Sequence, residues 1–270
     1  MNFSLKALLR EGIDYAGLFP PAGLGMREAA AEYGRARKSP FGFAVGRFVV
    51  PAGRVEELAE AAPGEVWRLS VLVDGRAPEI EAGRLVIEAV ETKALDARED
   101  ASGRPVFVEM PAEFAGVVDR LAGRRGMRAK IRTGGLTAEA IPSVEWVAGF
   151  LARAAMLRVP FKATAGLHHP VRGEYALTYE PGSARAVMHG FLNVFLAAAC
   201  AWFGQSETVV RRVLEERDAG EFRFSEGFVR CCGVSLASQQ VEEARRSFAL
   251  SFGSCSVEDP EQGLRALGLL

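Results

Sequence analysis

The sequence predicts an α/β fold closed into a single (β/α)8 TIM barrel, and three observations carry that expectation. Eight short apolar runs lie along the chain, several separated by helical patterns, an alternation that yields right-handed βαβ units and a parallel sheet. Eight strands within 270 residues match one closed barrel, which typically takes ~250 residues, better than an open doubly wound sheet. No Gly-x-Gly-x-x-Gly follows the first run, which counts against a dinucleotide-binding sheet.

The elements follow in order. Ser4 is placed to cap a short first helix that carries Leu5, Leu8 and Leu9 on one side, and Gly12 stops it. The first seven apolar runs are 13–19, 43–50, 66–73, 85–92, 106–110, 128–131 and 161–164, and the eighth is 248–252. Helical patterns occupy 26–38, 54–61, 112–124 and 143–157, with weaker ones at 74–83 and 94–103. After the eighth run, Asp259 and Pro260 read as an N-cap followed by proline at the first helical position, opening a helix that ends before Gly268.

The stretch 170–247 is too long for one connection and reads as a helical insertion between the seventh and eighth strands of one domain spanning 1–270. It holds an apolar helix at 188–203, a charged helix at 207–217, a hairpin at 222–230 turning at Glu226-Gly227, and a helix at 241–248. A helix apolar all round must be covered on several sides, by the barrel or by a second subunit of a homo-oligomer.

Composition excludes several classes. Apolar residues at 49% and charged residues at 25% describe a globular core with a solvated surface, not disorder, collagen or coiled coil. A formal net charge of -1 and a pI near 6.4 leave no basic excess for nucleic acid. The four cysteines, Cys200, Cys231, Cys232 and Cys255, form no disulfide framework. Adjacent Cys231 and Cys232 lack the CxxC spacing and nearby histidine of a zinc ribbon. Reduced thiols in a cytoplasmic protein are the expectation. The N-terminus has no signal-peptide pattern. The most apolar stretch, 187–203, is interrupted by His189, Gly190 and Asn193, and falls short of the ~20 residues that span a bilayer. Neither a membrane partner nor a cofactor is expected.

Barrel sites form at the C-terminal ends of strands, where this sequence concentrates charge. The fourth run carries Glu88 and Glu91 before Lys93, and the fifth carries Glu109. The sixth holds Lys130, with Arg132 and Gly134-Gly135 after it; the seventh holds Lys162 and Thr164, followed by His168 and His169. A lysine inside an apolar strand costs several kcal/mol unless it is paired or neutralised. On adjacent strands, Lys130 and Lys162 would depress each other's pKa, and burial pushes the same way. A neutral lysine is a nucleophile for carbonyl carbon, and neutrality near pH 7 needs a shift of ~3 units from 10.4.

Glu88, Glu91 and Glu109 can carry protons or hold one ammonium, although alternation lets only one or two face inward. Arg132 beside the Gly134-Gly135 N–H groups offers an anion site, and Lys93 adds charge there; Arg132 equally reads as a partner for Glu109. His168 and His169 read as acid–base or hydrogen-bonding groups, since a metal would need carboxylates as well, and no metal is expected. Cys255 could be a nucleophile only with a positioned histidine, so packing is its expected role.

The pair Lys-x-x-Thr-Gly at 130–134 and Lys-x-Thr-x-Gly at 162–166, with Gly-Ser-Cys-Ser at 253–256, resembles the class I deoxyribose-phosphate aldolases. The second strand, Ala44-Val45-Gly46-Arg47-Phe48-Val49, is also similar to that family. The resemblance rests on short motifs within 40–168 and 248–257. It implies a (β/α)8 barrel, a Schiff-base lysine at Lys130, an assisting lysine at Lys162 and a fourth-strand acid at Glu88, with Glu91 the other register. It also groups Thr164, Gly253 and Ser254 with substrate binding. Glu258, Asp259 and Glu261 at the last helix start would repel a phosphate, so an unphosphorylated or differently anchored carbonyl substrate is expected.

The leading expectation is therefore an aldolase-like lyase acting on a small carbonyl or sugar-like molecule. A non-covalent phosphosugar transferase or isomerase barrel, with Lys130, Arg132 and Lys162 as clamps, is the first alternative. A non-catalytic ligand-binding barrel is the second.

Overall fold

Runs of Val, Ile, Leu and Phe bounded by glycine, proline and polar residues extend because branched and aromatic side chains suit a pleated surface. In the computed structural model, which describes residues 2–62, 64, 66–74 and 84–270, seven runs form β1 (Ile13–Tyr15), β2 (Val45–Pro51), β3 (Trp67–Val73), β4 (Leu85–Thr92), β5 (Val106–Glu109), β6 (Met127–Arg132) and β7 (Phe161–Thr164). Five short strands outside the barrel come next: β8 (Gly173–Ala176), β9 (Arg185–Met188), β10 (Arg223–Phe224), β11 (Phe228–Cys231) and β12 (Val234–Ala237). The eighth barrel strand is β13 (Ala249–Ser254), which pairs in parallel with β7 on one side and β1 on the other. Every neighbouring pair in the closed barrel is parallel, the (β/α)8 architecture.

The helices are α1 (Phe3–Leu9), α2 (Met26–Lys38), α3 (Val55–Ala61), α4 (Ala115–Leu121), α5 (Val144–Met156), α6 (Phe191–Trp202), α7 (Glu207–Glu215), α8 (Ser238–Ser247) and α9 (Glu258–Ala266). Two expected caps differ. Asn2, not Ser4, caps α1 by accepting the Leu5 N–H, because Ser4 already sits inside the first turn. Asp259 does not cap α9, since its carboxylate is engaged by His168 and Tyr179. The weak helical pattern at 94–103 forms turns, where Asp100 accepts the N–H groups of Ser102 and Arg104. The other weak pattern, 74–83, lies beyond residue 74 outside the described residues.

The chain between β7 and β13 is not purely helical. It carries a β8–β9 hairpin and a three-stranded antiparallel sheet whose first turn is the expected hairpin, pairing Arg223 with Arg230 and Phe224 with Val229. The apolar helix α6 is covered by its own chain rather than by a second subunit, and residues 191–200 are all buried. Phe191 stacks on Phe252 of β13, Phe195 meets the same ring edge-on, and Trp202 stacks on Phe248. Asn193 is satisfied in this apolar setting, accepting the Arg172 N–H and donating to the carbonyls of Val213 and Glu216. Among the described residues no helix is long and apolar enough to cross a membrane.

Phe252 fastens β13 to α6, so Phe252→Ala should destabilise the fold by about 3–5 kcal/mol. Urea unfolding followed by circular dichroism measures this; a loss below about 1 kcal/mol would show that the contact does not hold β13 in place.

Candidate active site

In-register parallel pairing sets the site. Glu109 of β5 lies beside Lys130 of β6, Lys130 beside Lys162 of β7, and Lys162 beside Ser251 of β13. Their side chains meet Glu91 from β4 and Asp14 from β1 in one buried network. Lys162 Nζ donates to Asp14 Oδ2 and Glu91 Oε1, each at 2.6 Å. Lys130 Nζ is 3.1 Å from Glu91 Oε2 and 2.9 Å from Glu109 Oε2. The remaining lone pairs are filled: Ser70 of β3 donates to Glu91, Ser251 to Asp14, and the Arg47 N–H of β2 to the other Asp14 oxygen. All eight barrel strands contribute to this network.

Burial and pairing compete at Asp14, Glu91 and Lys162, and pairing wins at all three. Burial opposes ionisation of Asp14, but Lys162 and then Arg47 hold its carboxyl below the ordinary range. Burial likewise works against Glu91, yet Lys162 and Lys130 hold it down to about 2. The Lys162 ammonium is favoured despite full burial because Asp14 and Glu91 flank it. The expected mutual depression of the two lysines thus fails for Lys162: the carboxylates are closer than the second ammonium.

Above the network lies an open cavity of about 590 Å³ at the C-terminal mouth of the barrel, within the range of small-ligand sites. Glu91, Glu109, Lys130 and Lys162 form its floor, while Lys93, Arg132, Thr164, His168, His169 and Gly253 line its sides. Arg132 does not pair with Glu109, which is taken by Lys130. The sixth and seventh strand loops are tied by buried Thr133, which donates to the carbonyls of Thr164 and Ala165. Gly166, at φ +77°, passes so close that a Cβ there would sit 3.0 Å from the Gly134 Cα. His169 stacks on Tyr175 at 3.5 Å, and burial followed by the neighbouring His168 lowers its pKa to about 4. Ser254 is buried and donates to the Ser256 carbonyl, shaping the loop after β13.

Glu88 is not at this site. It lies three residues, roughly 10 Å of strand, nearer the N-terminal end than Glu91, at a register shift between β3 and β4. There it pairs with Arg47 at 3.1 Å and Arg68 at 4.0 Å. Arg47 and Arg68 line a second, arginine-rich cavity of about 510 Å³ at that end, to which Phe107 also contributes. Phe107 lies under the Lys162 ammonium at 5.5 Å, between the two cavities.

Asp14, Ser70 and Ser251 were not anticipated as site residues. An aspartate within the first apolar run is as anomalous as a lysine within the sixth, and that signal was legible in the sequence. No metal-ligand cluster of three or more His, Cys, Asp or Glu occurs among the described residues.

The fold and the network define the protein as a (β/α)8 barrel with a charged, cavity-facing site at the C-terminal end of the strands. No protein-family model matches the chain, and no curated protein is detectably similar to it in sequence.

Two outcomes follow for stability. Replacing Lys162 by Met strands Asp14 and Glu91, and should cost about 3–5 kcal/mol in chemical unfolding. Glu91 is held at about 2 against an ordinary 4.5, so its contribution is full above 4.5 and is lost as pH falls through about 2. The melting temperature of the wild type should therefore drop more steeply between those pH values than that of Glu91→Gln. Parallel slopes would show that Glu91 is not held as an anion.

Proposed function

We propose that this barrel is a Schiff-base lyase acting on a small carbonyl substrate, with Lys130 as nucleophile. The observation that carries this reading is the asymmetry between the two lysines. Lys162 is clamped by Asp14 and Glu91 at 2.6 Å each and is 1% exposed, so it serves as a fixed cation. Lys130 shares only the far oxygen of Glu91 and touches Glu109, whose side chain is 13% exposed at the cavity floor. A carbonyl compound in the cavity meets Lys130 beside a carboxylate able to take its proton.

Each step has a group at hand. Glu109 accepts a proton from Lys130, whose amine attacks the carbonyl carbon to give a carbinolamine. Loss of the carbonyl oxygen as water leaves an iminium. Breaking the bond between the carbons α and β to the iminium sends its electron pair toward the iminium and gives an enamine, while a carboxylate takes the proton of the departing fragment's β-hydroxyl. Protonation of the enamine at carbon and hydrolysis by water then release the second fragment and return Lys130 to its amine. Lys162 stabilises the negative charge on Glu91 throughout. Lys93, Arg132 and Arg185 at the cavity sides favour a polyhydroxylated or anionic substrate.

Residue choice supports the reading. Only five of the 33 basic residues are lysine, at positions 6, 38, 93, 130 and 162, in a chain that otherwise uses arginine. An arginine cannot give up its proton, so a site requiring a neutral nitrogen needs lysine. The contact between Lys130 and two carboxylates favours a second reading, in which both lysines are electrostatic clamps and no covalent step occurs.

Incubation with small aldehydes and ketones, sodium borohydride reduction and peptide mass mapping separate the two. The expected result is a reduced adduct on Lys130, absent from Lys130→Met and retained at lower yield in Glu109→Gln. No lysine adduct across such a panel, or one on Lys162, would overturn the assignment.

A further inference from the structure

The loop after β13 brings Cys255 against a histidine and an acid that no step above uses. Cys255 Sγ lies 3.8 Å from His168 Nε2, and His168 Nδ1 lies 3.1 Å from Asp259 Oδ2. Tyr179 donates to the same Asp259 oxygen at 2.6 Å, and its hydroxyl is 3.6 Å from the sulfur. Ser254 Oγ, 3.5 Å from Nδ1, completes the surroundings of the ring. Cys255, His168, Tyr179 and Asp259 all line the cavity above Lys130.

Ionised Asp259 can only accept, so Nδ1 carries a hydrogen and Nε2 is the atom turned to the sulfur. This is the order of contacts in an acid–histidine–nucleophile relay, with the acid fixing the ring and the ring exchanging a proton with the nucleophile. Burial alone would lower the His168 pKa, but the hydrogen bonds to Asp259 and Cys255 raise it to about 9, so the ring readily holds a proton beside the sulfur. The other three cysteines have no such setting. Cys200 is buried on α6, and Cys231 and Cys232 face one another at 3.4 Å. Burial is the main cause that pushes the Cys200 thiol up to about 12 and the Cys232 thiol to about 11, and it pushes Cys231 up as well.

We infer that Cys255 is a second nucleophile of the cavity, which adds reversibly to the carbonyl carbon of a small aldehyde, with His168 as proton carrier and Asp259 as positioning residue. The sulfur–carbon bond forms as the carbonyl π pair moves onto oxygen. The thiol proton passes through His168 Nε2 to that oxygen, and the product is a hemithioacetal. Nothing is oxidised or reduced, and reversal returns thiol and aldehyde. In a lyase cavity such a thiol would hold the aldehyde fragment after cleavage; that use rests on the proposed function, whereas the reactivity of Cys255 does not.

Alkylation of the native protein by iodoacetamide, followed by peptide mass mapping, tests the inference. Cys255 should be labelled while Cys200, Cys231 and Cys232 stay largely unmodified, and its rate should fall by about tenfold or more in His168→Gln, since reactivity follows access to the thiolate. Asp259→Asn should show the same direction, and serves if His168→Gln fails to fold by circular dichroism. Glycolaldehyde should slow the labelling equally in the wild type and in Lys130→Met. An unlabelled Cys255, a rate unchanged in both relay variants, or protection that disappears in Lys130→Met would overturn it. Retained protection with no borohydride-trapped lysine would remove the lyase reading and leave this one standing.

Discussion

The buried ionic network of Asp14, Lys162, Glu91, Lys130 and Glu109 is the constraint on which the structure turns. It gathers two lysines and three carboxyl groups in the interior of the barrel, among strands that otherwise bury mainly Val, Ile, Leu, Ala and Phe there. Removing such charges from water costs several kcal/mol per ion, and mutual attraction offsets this only where geometry is good and every lone pair is used. Here Ser70, Ser251 and the Arg47 N–H fill the positions the lysines leave open. A well-packed apolar layer would often be as stable or more so. The network is therefore weak evidence of a stabilising role, which is why the proposed function is placed on it.

Closure of the barrel is what completes it. Asp14 belongs to the first strand and Lys162 to the seventh, and they meet because β13 pairs with both β1 and β7. The long segment before β13 serves that pairing, since α6 holds Phe252 through Phe191 and Phe195. The two barrel ends then diverge in character. The lower end gathers Arg47, Arg68 and Arg128 with Glu88 nearby, and the upper end presents the lysine–carboxylate floor to an open cavity.

Much of this was legible in the sequence, and the failures have physical causes. Lys130 and Lys162 stood out because consecutive parallel strands place their like-charged anomalies side by side, a local inference that needs only the strand order. The choice between Glu88 and Glu91 depended on an irregularity in the β3–β4 register, which no periodicity reveals. Asp14 was visible as an acid in an apolar run, but its partner lies 148 residues away and is reached only through barrel closure. The Cys255–His168 contact was illegible for a different reason. It depends on the turn after β7, where Ala165 and Gly166 both take positive φ, and on Asp259 leaving its expected capping role.

The central claim is that Lys162 is a permanent cation so that Lys130 can be the reactive amine. With only five lysines in the chain, selective ¹⁵N labelling and NMR of the side-chain Nζ groups across a pH titration address it directly. The expected result is a Lys162 ammonium resonance, slow in exchange and scalar-coupled to Asp14 or Glu91, that persists above pH 10.5, the ordinary lysine value. Loss of the Lys162 proton below that pH would contradict the assignment of roles, and with it the reading of the site.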